Sequence, residues 1–446
     1  MPQSRPFVRV VVLNFNGGTM TAKCVEHLRR VHYPDDRYEI VVVDNASADD
    51  SLEAIRQRFP EVEIRANTVN GGFPANNLAM RDLEGVDHVA LINNDAFVEP
   101  GWLAALVDTL EADGALGAAC SKLVLAPRFL ELSLSAPAFV PGTGDSRELA
   151  VMLRDVVVEG RSCRRDAHFG RGGWGIEHDR DGIFEWASGS SVLRVPVGED
   201  QPTSVTLRLQ AERTKDVVID GGAGQVTVVV GRRACDVVVP VAGTAYDVVN
   251  NVGSILYEDG AGADRGWLER DLGQFDEPSD VFAWCGGGVL LRKGYLTDAG
   301  LFDEDFFLYY EDTDLAWRGR ALGWGYRTAP GAVARHVHAA SSDATSPLFA
   351  YYVERNRLLM LVKNAPRAMA WREVWRFVLV TASYARRDVV LPVLRARRPT
   401  AVQVRRRVGS FLGFVRLLPR MLAKRRGLRR RQRVADRELV AWFVAR

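Results

Sequence analysis

The sequence predicts an α/β protein: a parallel sheet covered by helices, interrupted by a β-rich insertion and followed by a basic helical tail. Three features of the 446 residues predict it. Up to residue 127, continuous apolar runs alternate with segments of helical periodicity, the pattern of a parallel sheet with helices on both faces. From 128 to 250, short β-branched runs separated by Gly, Pro and Asp take over, which suits a β-sandwich. From Arg367 to the C-terminus, 22 Lys or Arg stand against four Asp or Glu; because the whole chain carries +2, the preceding residues carry −16. The expected domains are 1–127, 128–250, 251–365 and 366–446.

Val8–Leu13 is apolar throughout, as a strand buried on both faces requires. Thr21–Val31 has helical spacing, Glu39–Val43 is the next strand and Ser51–Phe59 the next helix. Val62–Ala66 and His88–Ile92 extend the sheet, and Trp102–Glu111 is a helix entered through Pro100 and Gly101. In the insertion the expected strands are Glu131–Ser135, Glu148–Val158, Ser190–Val197, Ser204–Gln210, Asp216–Ile219, Gln225–Val230 and Cys235–Val239. Beyond it, Asn251–Tyr257 and Val281–Leu291 resume the sheet. Phe306–Leu322 reads as a helix, Gly331–His338 as a strand, and Leu348–Lys363 as a helix leading into the tail.

Cys24, Cys120, Cys163, Cys235 and Cys285 are scattered, odd in number and without CxxC spacing, which argues against a disulfide framework or a structural zinc site. The N-terminus runs directly into a strand without a signal-peptide layout, and no apolar stretch approaches the ~20 residues a spanning helix needs. The expectation is a cytoplasmic protein.

Sheets of this kind bind ligands beyond the carboxyl ends of their strands. Four polar clusters fall there: Asn14-Phe15-Asn16-Gly17, Asp44-Asn45-Ala46-Ser47, the segment from Asn70 to Asn77, and Asn93-Asn94-Asp95. Asp44 can accept hydrogen bonds from a nucleobase imide or a ribose hydroxyl. The Gly71-Gly72 turn admits close backbone approach, and the helix start after it favours an anion. Asp95 is a hard oxygen ligand for Mg²⁺ or Mn²⁺ bridging a diphosphate. Each cluster alone is also ordinary turn chemistry; four in register on one edge are harder to dismiss.

A second constellation, Phe302 to Arg318, sets six carboxylates among aromatics. Asp303 and Glu304 fit a solvated acidic face. Glu311 and Asp312 follow an apolar aromatic run expected to be buried, where desolvation readies a carboxylate for general-base work. His336 and His338 share one strand face, and Asp95 could recruit one of them as a metal ligand. Arg318 either meets a phosphate, pins a carboxylate or forms a surface ion pair.

In order, VVVLNFNG, IVVVDNASADDS, NGGFPANN, LINNDAFVEPGWL, FAWCGGGVLLRK, GLFDEDFFLYYEDTDLAWRGRALGW and YYVERNRL resemble family 2 glycosyltransferases of the GT-A fold, in particular bacterial rhamnosyltransferase-like members. The resemblance spans about 1–127 and 251–365 and implies metal-dependent, inverting sugar transfer. It places the metal at Asn93-Asn94-Asp95, with Asp95 the one charged ligand there and His336 (rival His338) another. Asp312, beside Glu311, maps to the catalytic base. Asp44 maps to the nucleoside contact, within a donor-binding set of Asn14, Asn16, Asn45, Asn70, Gly72, Asn76, Asn93 and Asn94. Trp284, Cys285, Gly286 and Gly287, with Arg318, border the acceptor. The implied cofactor is Mg²⁺ or Mn²⁺. The implied donor is a nucleotide-sugar, dTDP-rhamnose first, with galactofuranose or mannose donors as alternatives. The implied acceptor is a glycan or polyprenyl-linked glycan of the cell envelope.

The insertion departs from a minimal family member. It suits glycan binding through Trp174, Trp186 or Tyr246, or a structural or oligomer-forming role. The tail interleaves Arg clusters with Phe411, Leu412, Phe414, Val415, Leu417 and Leu418, which suits a helix on an anionic membrane and a peripheral location on its inner face. Nucleic-acid binding is disfavoured for want of a recognised fold; docking onto the chain's own acidic body is a third reading. Two other functions compete. A sugar nucleotidyltransferase needs a Gly-rich activation loop with a Lys near the N-terminus, which is missing. A catalytically silent glycan-binding scaffold predicts decay of the acidic motif, which is intact.

Overall fold

A computed structural model of the chain describes residues 5–142, 144–198, 201–337 and 346–446. His338 lies outside the described residues. The chain forms two compact units: Met1–Ala126 with Val249–Trp267 and Leu272–Arg446, and Pro127–Val248 with Leu268–Asp271. The C-terminal helices belong to the first unit.

That unit opens with β1 (Val8–Asn14), α1 (Gly18–Leu28), β2 (Tyr38–Asp44), α2 (Ser51–Arg58), β3 (Glu63–Ala66), α3 (Asn77–Met80), β4 (His88–Asn93), β5 (Ala96–Val98), α4 (Trp102–Glu111) and β6 (Leu116–Leu125). β1 lies parallel between β2 and β4, and β2 pairs with β3. Val8, Val10, Val11 and Val12 have no exposed surface, so β1 is apolar because both its faces are covered. The register sets Asn14 beside Asp44, and Leu13 beside Asn93, on one edge.

The second unit is all β: β7 (Arg128–Ser135), β8 (Val151–Val158), β9 (Arg161–Ser162), β10 (His168–Asp179), β11 (Gly182–Val197), β12 (Ser204–Gln210), β13 (Lys215–Asp220), β14 (Gln225–Val230) and β15 (Cys235–Pro240). They form one hydrogen-bonded antiparallel sheet, β14-β13-β7-β11-β8-β12-β15, with β10 on β11 and β9 on β8. The long β11 makes it continuous: Glu185–Ala187 pair with β8, and Ser190–Val197 pair with β7. Leu132, Leu153, Leu193, Leu207 and Val239 fill its core. The polar, Gly-rich β10 carries no apolar alternation, so periodicity does not find it. Trp186 and Tyr246 are buried, and Tyr246 donates to Glu131 at 2.6 Å. Of the three aromatics expected to offer glycan-stacking faces, only Trp174 is exposed.

The first unit resumes with β16 (Val249–Asn251), β17 (Ser254–Leu256), β18 (Gly262–Asp264), β19 (Gly288–Arg292), α5 (Lys293–Ala299), α6 (Glu311–Leu322), β20 (Gly325–His336), α7 (Pro347–Asn364), α8 (Arg367–Ala385), α9 (Leu391–Leu394), α10 (Val402–Arg431) and α11 (Asp436–Val440). The sheet order is β3-β2-β1-β4-β19-β6-β20-β5. β19 is antiparallel to β4 and β6, whereas β20 is parallel to β6. β20 therefore ends, at His336, on the edge that carries Asn14, Asp44 and Asn93.

Three expectations fail for tertiary reasons. The helix expected from Phe306 begins only at Glu311, because Phe307, Tyr309 and Tyr310 have φ of 66°, 66° and 68°. Asn356 of α7 holds them there: its Nδ2 lies 2.8 Å from each of the Phe306, Leu308 and Tyr309 carbonyls. The tail's apolar stripe turns inward rather than outward. Phe414 and Met421 enter the core, and Phe411, Leu417 and Leu418 pack against it; only Leu412 and Val415 of the expected membrane-facing set are exposed. Cations of α10 pair with the body, Lys424 with Asp305 at 2.7 Å and Arg407 with Glu354 at 2.9 Å. Asp303, expected on a solvated face, is instead enclosed between Lys363 (2.6 Å) and Lys424. Burial raises its carboxyl, but the two lysines outweigh that and hold it at about 2. Among the described residues, no helix is long and apolar enough to cross a membrane.

Candidate active site

Many polar side chains of the sheet edge bond to one another. Asn14, fully buried, donates through Nδ2 to Asp44 Oδ1 (2.9 Å), Ser47 Oγ (3.0 Å) and Ser51 Oγ (2.9 Å), and accepts from Thr21 Oγ1 (2.6 Å). Asn14 thereby orients Asp44, whose Oδ2 accepts the Ser47 N–H at 3.2 Å. Asn45 donates to Asn70 Oδ1 (2.8 Å) and the Gly72 carbonyl (3.0 Å) and accepts the Gly71 N–H (2.8 Å), so one side chain fixes the 70–72 turn. Asn76 donates to the Phe73 carbonyl at 2.9 Å. Asn14, Asn45 and Asn76 are thus buried and hydrogen-bonded to neighbouring segments of the expected donor-binding edge. Asn16 and Asn70 are exposed, and Asn93 and Asn94 half-buried.

Gly72 joins the two halves of the edge. Its φ is +69°, and a Cβ there would lie 1.9 Å from the Phe307 carbonyl oxygen. That oxygen accepts the Phe73 N–H at 2.8 Å, tying the turn to the loop before α6. From the other side, a Cβ on Gly286 would meet the Phe73 ring at 2.5 Å.

His336 Nε2 lies 3.1 Å from Asp95 Oδ1, and its Nδ1 lies 2.9 Å from Asn250 Oδ1. The amide oxygen accepts, so a proton on Nδ1 is bonded there and the neutral ring turns its Nε2 lone pair toward Asp95. Asp95 is 5% exposed and has no Lys or Arg partner among the described residues. A buried carboxylate oxygen opposite an imidazole lone pair fits a divalent cation such as Mg²⁺ or Mn²⁺. Among the described residues no three His, Cys, Asp or Glu converge, and this pair is the donor set that those residues bring to the edge.

α6 starts at the same edge. Asp312 Oδ2 accepts the Gly286 N–H at 3.2 Å, and Oδ1 accepts the Thr313 N–H at 2.6 Å. Burial raises its carboxyl above the ordinary value; these hydrogen bonds oppose the rise and Asp264 adds to it. Glu311 is 5% exposed and its Oε2 has no hydrogen-bond partner among the described residues. Burial, then the neighbouring Asp312, push it well above the usual carboxylate range. Asp312 alone of the pair is held by donors as a carboxylate able to take a proton; Glu311 is its buried neighbour.

Two residues that the motifs overlooked join the site. Asp264 accepts from Asn251 Nδ2 at 2.6 Å. The side chain keeps an exposed face; desolvation of the rest raises its carboxyl, and Asn251 and His336 oppose that. A single Asp between Gly-Ala and Arg-Gly carries no motif. Asn250 has one signal, the Asn pair after an apolar run, which repeats the strand-end chemistry of the first half.

Two expected acceptor-side residues face elsewhere. Trp284 has no exposed surface and meets the Phe302 ring at 6.0 Å in the core. Arg318 is buried, with Nε 3.0 Å from Asp314 and a second nitrogen donating to the Leu301 carbonyl at 2.7 Å; it pins a carboxylate. Cys285, Gly286 and Gly287 do reach the edge, where the Gly287 carbonyl accepts the Asn93 N–H at 3.3 Å. A cavity of about 1040 Å³ opens at the opposite, amino edge beside His88. Its charges neutralise one another, as in Arg292 with Glu111 at 2.9 Å, and it brings no reactive set together.

Residues 9–129 match the family described as Glycosyl transferase family 2. Over 118 residues the chain is 29% identical to the glycosyltransferase AglE of Haloferax volcanii, covering 26% of this chain and 38% of that one. Over 110 residues it is 24% identical to a dolichyl N-acetyl-alpha-D-glucosaminyl phosphate 3-beta-D-2,3-diacetamido-2,3-dideoxy-beta-D-glucuronosyltransferase of Methanococcus voltae, covering 24% of this chain and 34% of that one. The match thus spans little more than a third of these relatives' length. A solved mannosyltransferase of Pyrobaculum calidifontis, in complex with GDP-Man and Mn²⁺, aligns at TM-score 0.42 and 14% identity over 96% of this chain and 86% of that one. The family match falls on the strands whose ends carry Asn14, Asp44 and Asp95, so this part of the chain is similar to the family 2 glycosyltransferases.

Proposed function

We propose that the chain transfers a sugar from a nucleotide-sugar to a glycan hydroxyl, with inversion at the anomeric carbon and with the help of a divalent cation. The observation that supports this most is Asp312: a carboxylate raised by burial, held by two backbone N–H groups, on the edge that also carries Asp44, Asp95 and His336. An acceptor hydroxyl is a poor nucleophile until its proton is removed. Asp312 takes that proton while the oxygen attacks the anomeric carbon opposite the departing diphosphate, so one displacement inverts the centre. Asp44, oriented by Asn14, receives hydrogen bonds from the nucleoside. Asp95 and His336 hold Mg²⁺ or Mn²⁺, which when bound supplies positive charge beside the leaving diphosphate. The mechanism needs no enzyme nucleophile.

dTDP-rhamnose is the first donor in this reading, ahead of galactofuranose and mannose donors. The dolichyl-linked substrate named for the Methanococcus relative supports a lipid-linked envelope glycan as acceptor. A lipid-linked acceptor in turn favours a peripheral position on an anionic membrane face. The test is a panel of nucleotide-sugars assayed for metal-dependent transfer or slow hydrolysis, with wild type and Asp312→Asn. Loss of a general base costs on the order of 10²–10⁴-fold in rate while donor binding stays. Unchanged turnover in the variant would remove Asp312 from the mechanism.

A further inference from the structure

A groove beside α8, α10 and α11, about 670 Å³ in volume, is lined by five guanidinium groups: Arg367 from α8, and Arg425, Arg426, Arg429 and Arg430 from α10. Two of them are used by the fold. Arg425 donates to the carbonyls of Val362 (2.9 Å) and Ala365 (2.7 Å). Arg429 donates to the Asn364 carbonyl (2.9 Å) and pairs with Asp436, the one carboxylate in the groove. Arg367, Arg426 and Arg430 are exposed and have no acceptor among the described residues. The crowding has an electrostatic consequence: burial first, then Arg429, with Arg367 adding, push Arg425 down to about 10 even though Asp436 opposes them. The groove thus carries an excess of positive charge over Asp436.

One ridge of α8 runs on from the groove. Arg367, Trp371, Trp375 and Leu379 recur every four residues and so share a face. Trp371 is 42% exposed, and Trp375 and Leu379 are each 65% exposed. Tryptophan flanked by arginine on an uncovered face matches the headgroup level of a bilayer, where the ring is half in hydrocarbon and the cations meet phosphate.

We propose that this groove binds the phosphate group of an anionic membrane lipid, with Arg367, Arg426 and Arg430 on the phosphate oxygens and Trp375 and Leu379 in the acyl boundary. The planar fork of each guanidinium suits phosphate oxygens better than an ammonium would. The proposal rests on the peripheral-membrane reading above and adds to it the headgroup chemistry and the residues. It also replaces the inward-facing stripe of α10 with the outer ridge of α8 as the surface that meets lipid.

The test is flotation of the full chain with vesicles of phosphatidylcholine alone and of phosphatidylcholine with phosphatidic acid. The variants are Arg367→Gln/Arg426→Gln/Arg430→Gln and, separately, Trp375→Ala/Leu379→Ala. Among the described residues the three arginines have no bonded partner, so the first variant should keep its thermal midpoint. We expect wild type to float with the anionic vesicles. The triple variant should bind them about a hundredfold more weakly, roughly fivefold per lost charge, and the apolar variant should also bind them more weakly. A triple variant that floats like wild type overturns the groove while leaving the membrane reading standing. Equal flotation on phosphatidylcholine alone overturns the phosphate chemistry. No flotation of wild type overturns both readings, and calorimetric binding of soluble pyrophosphate in that case assigns the groove to a soluble anion.

Discussion

Replacing Gly72 by alanine separates the contribution of one turn from that of its chemistry. Gly72 has φ +69° and ψ −157°, a region open in practice to glycine alone; a side chain there costs about 1–3 kcal/mol in backbone strain. The added Cβ would stand 1.9 Å from the Phe307 carbonyl oxygen, where 3.4 Å is ordinary contact. A backbone oxygen cannot swing aside, so the turn must withdraw and break the 2.8 Å hydrogen bond from Phe73 N–H, a further ~0.5–1.5 kcal/mol. The two losses together reach about 2–4 kcal/mol. Gly71 is the internal control, since a Cβ there meets nothing closer than 3.8 Å. Urea unfolding and calorimetric titration with a nucleoside diphosphate and Mn²⁺ read both consequences. Gly72→Ala should lose at least tenfold in nucleotide affinity and unfold at lower urea, and Gly71→Ala should stay within ~0.5 kcal/mol of wild type. Wild-type behaviour of Gly72→Ala in both assays, or equal damage from Gly71→Ala, would refute the account of this junction.

Asp95→Ala and His336→Gln should each weaken Mn²⁺-dependent nucleotide binding by about tenfold or more while leaving metal-free binding as it is; calorimetry with and without Mn²⁺ checks this. Lys363→Met leaves Asp314, which is fully buried, with Arg318 as its remaining cation and removes the 2.6 Å partner of Asp303. Breaking such a buried network should cost on the order of 3–5 kcal/mol in urea unfolding. Because Asp312 must be deprotonated to act and burial raises its carboxyl, the rate should fall as pH drops, along an acid limb lying above the ordinary carboxylate range; a limb at or below that range counts against it. Asp303 works in the opposite sense. Its folded carboxyl sits at about 2, below the 3.8 of a free aspartate, so its stabilisation is full above 3.8 and lost as pH falls toward 2. Acid unfolding of Asp303→Asn should lack that component.

The motifs led correctly to one edge of one sheet, because strand ends in a parallel sheet share an edge whatever the residues between them. They did not separate residues that shape the edge from residues that face it. Asn14, Asn45 and Asn76 look like ligand contacts in the sequence, yet each spends its amide on a neighbouring loop. Arg318 fits a phosphate as well as a carboxylate by its type, and only the position of Asp314 decides between them. Asp264 and Asn250 reach the site from segments far from the motifs, so no local pattern marks them. For the tail, charge and periodicity describe a surface helix, but the same apolar stripe serves a protein core, and Phe414 and Met421 take the core.

By itself the sequence determined the order of strands and helices in the first half, the β-rich insertion, the acidic and Asn-rich strand ends, and the charge division between body and tail. These depend on local periodicity and composition, which a chain carries without folding. The tertiary structure decided which polar groups are spent on one another, where α6 begins, which histidine nitrogen faces Asp95, and which faces of α8 and α10 are left to solvent. Those outcomes depend on contacts between residues up to 241 positions apart, such as Asp95 with His336, and such contacts exist only once the sheet has brought the strand ends together.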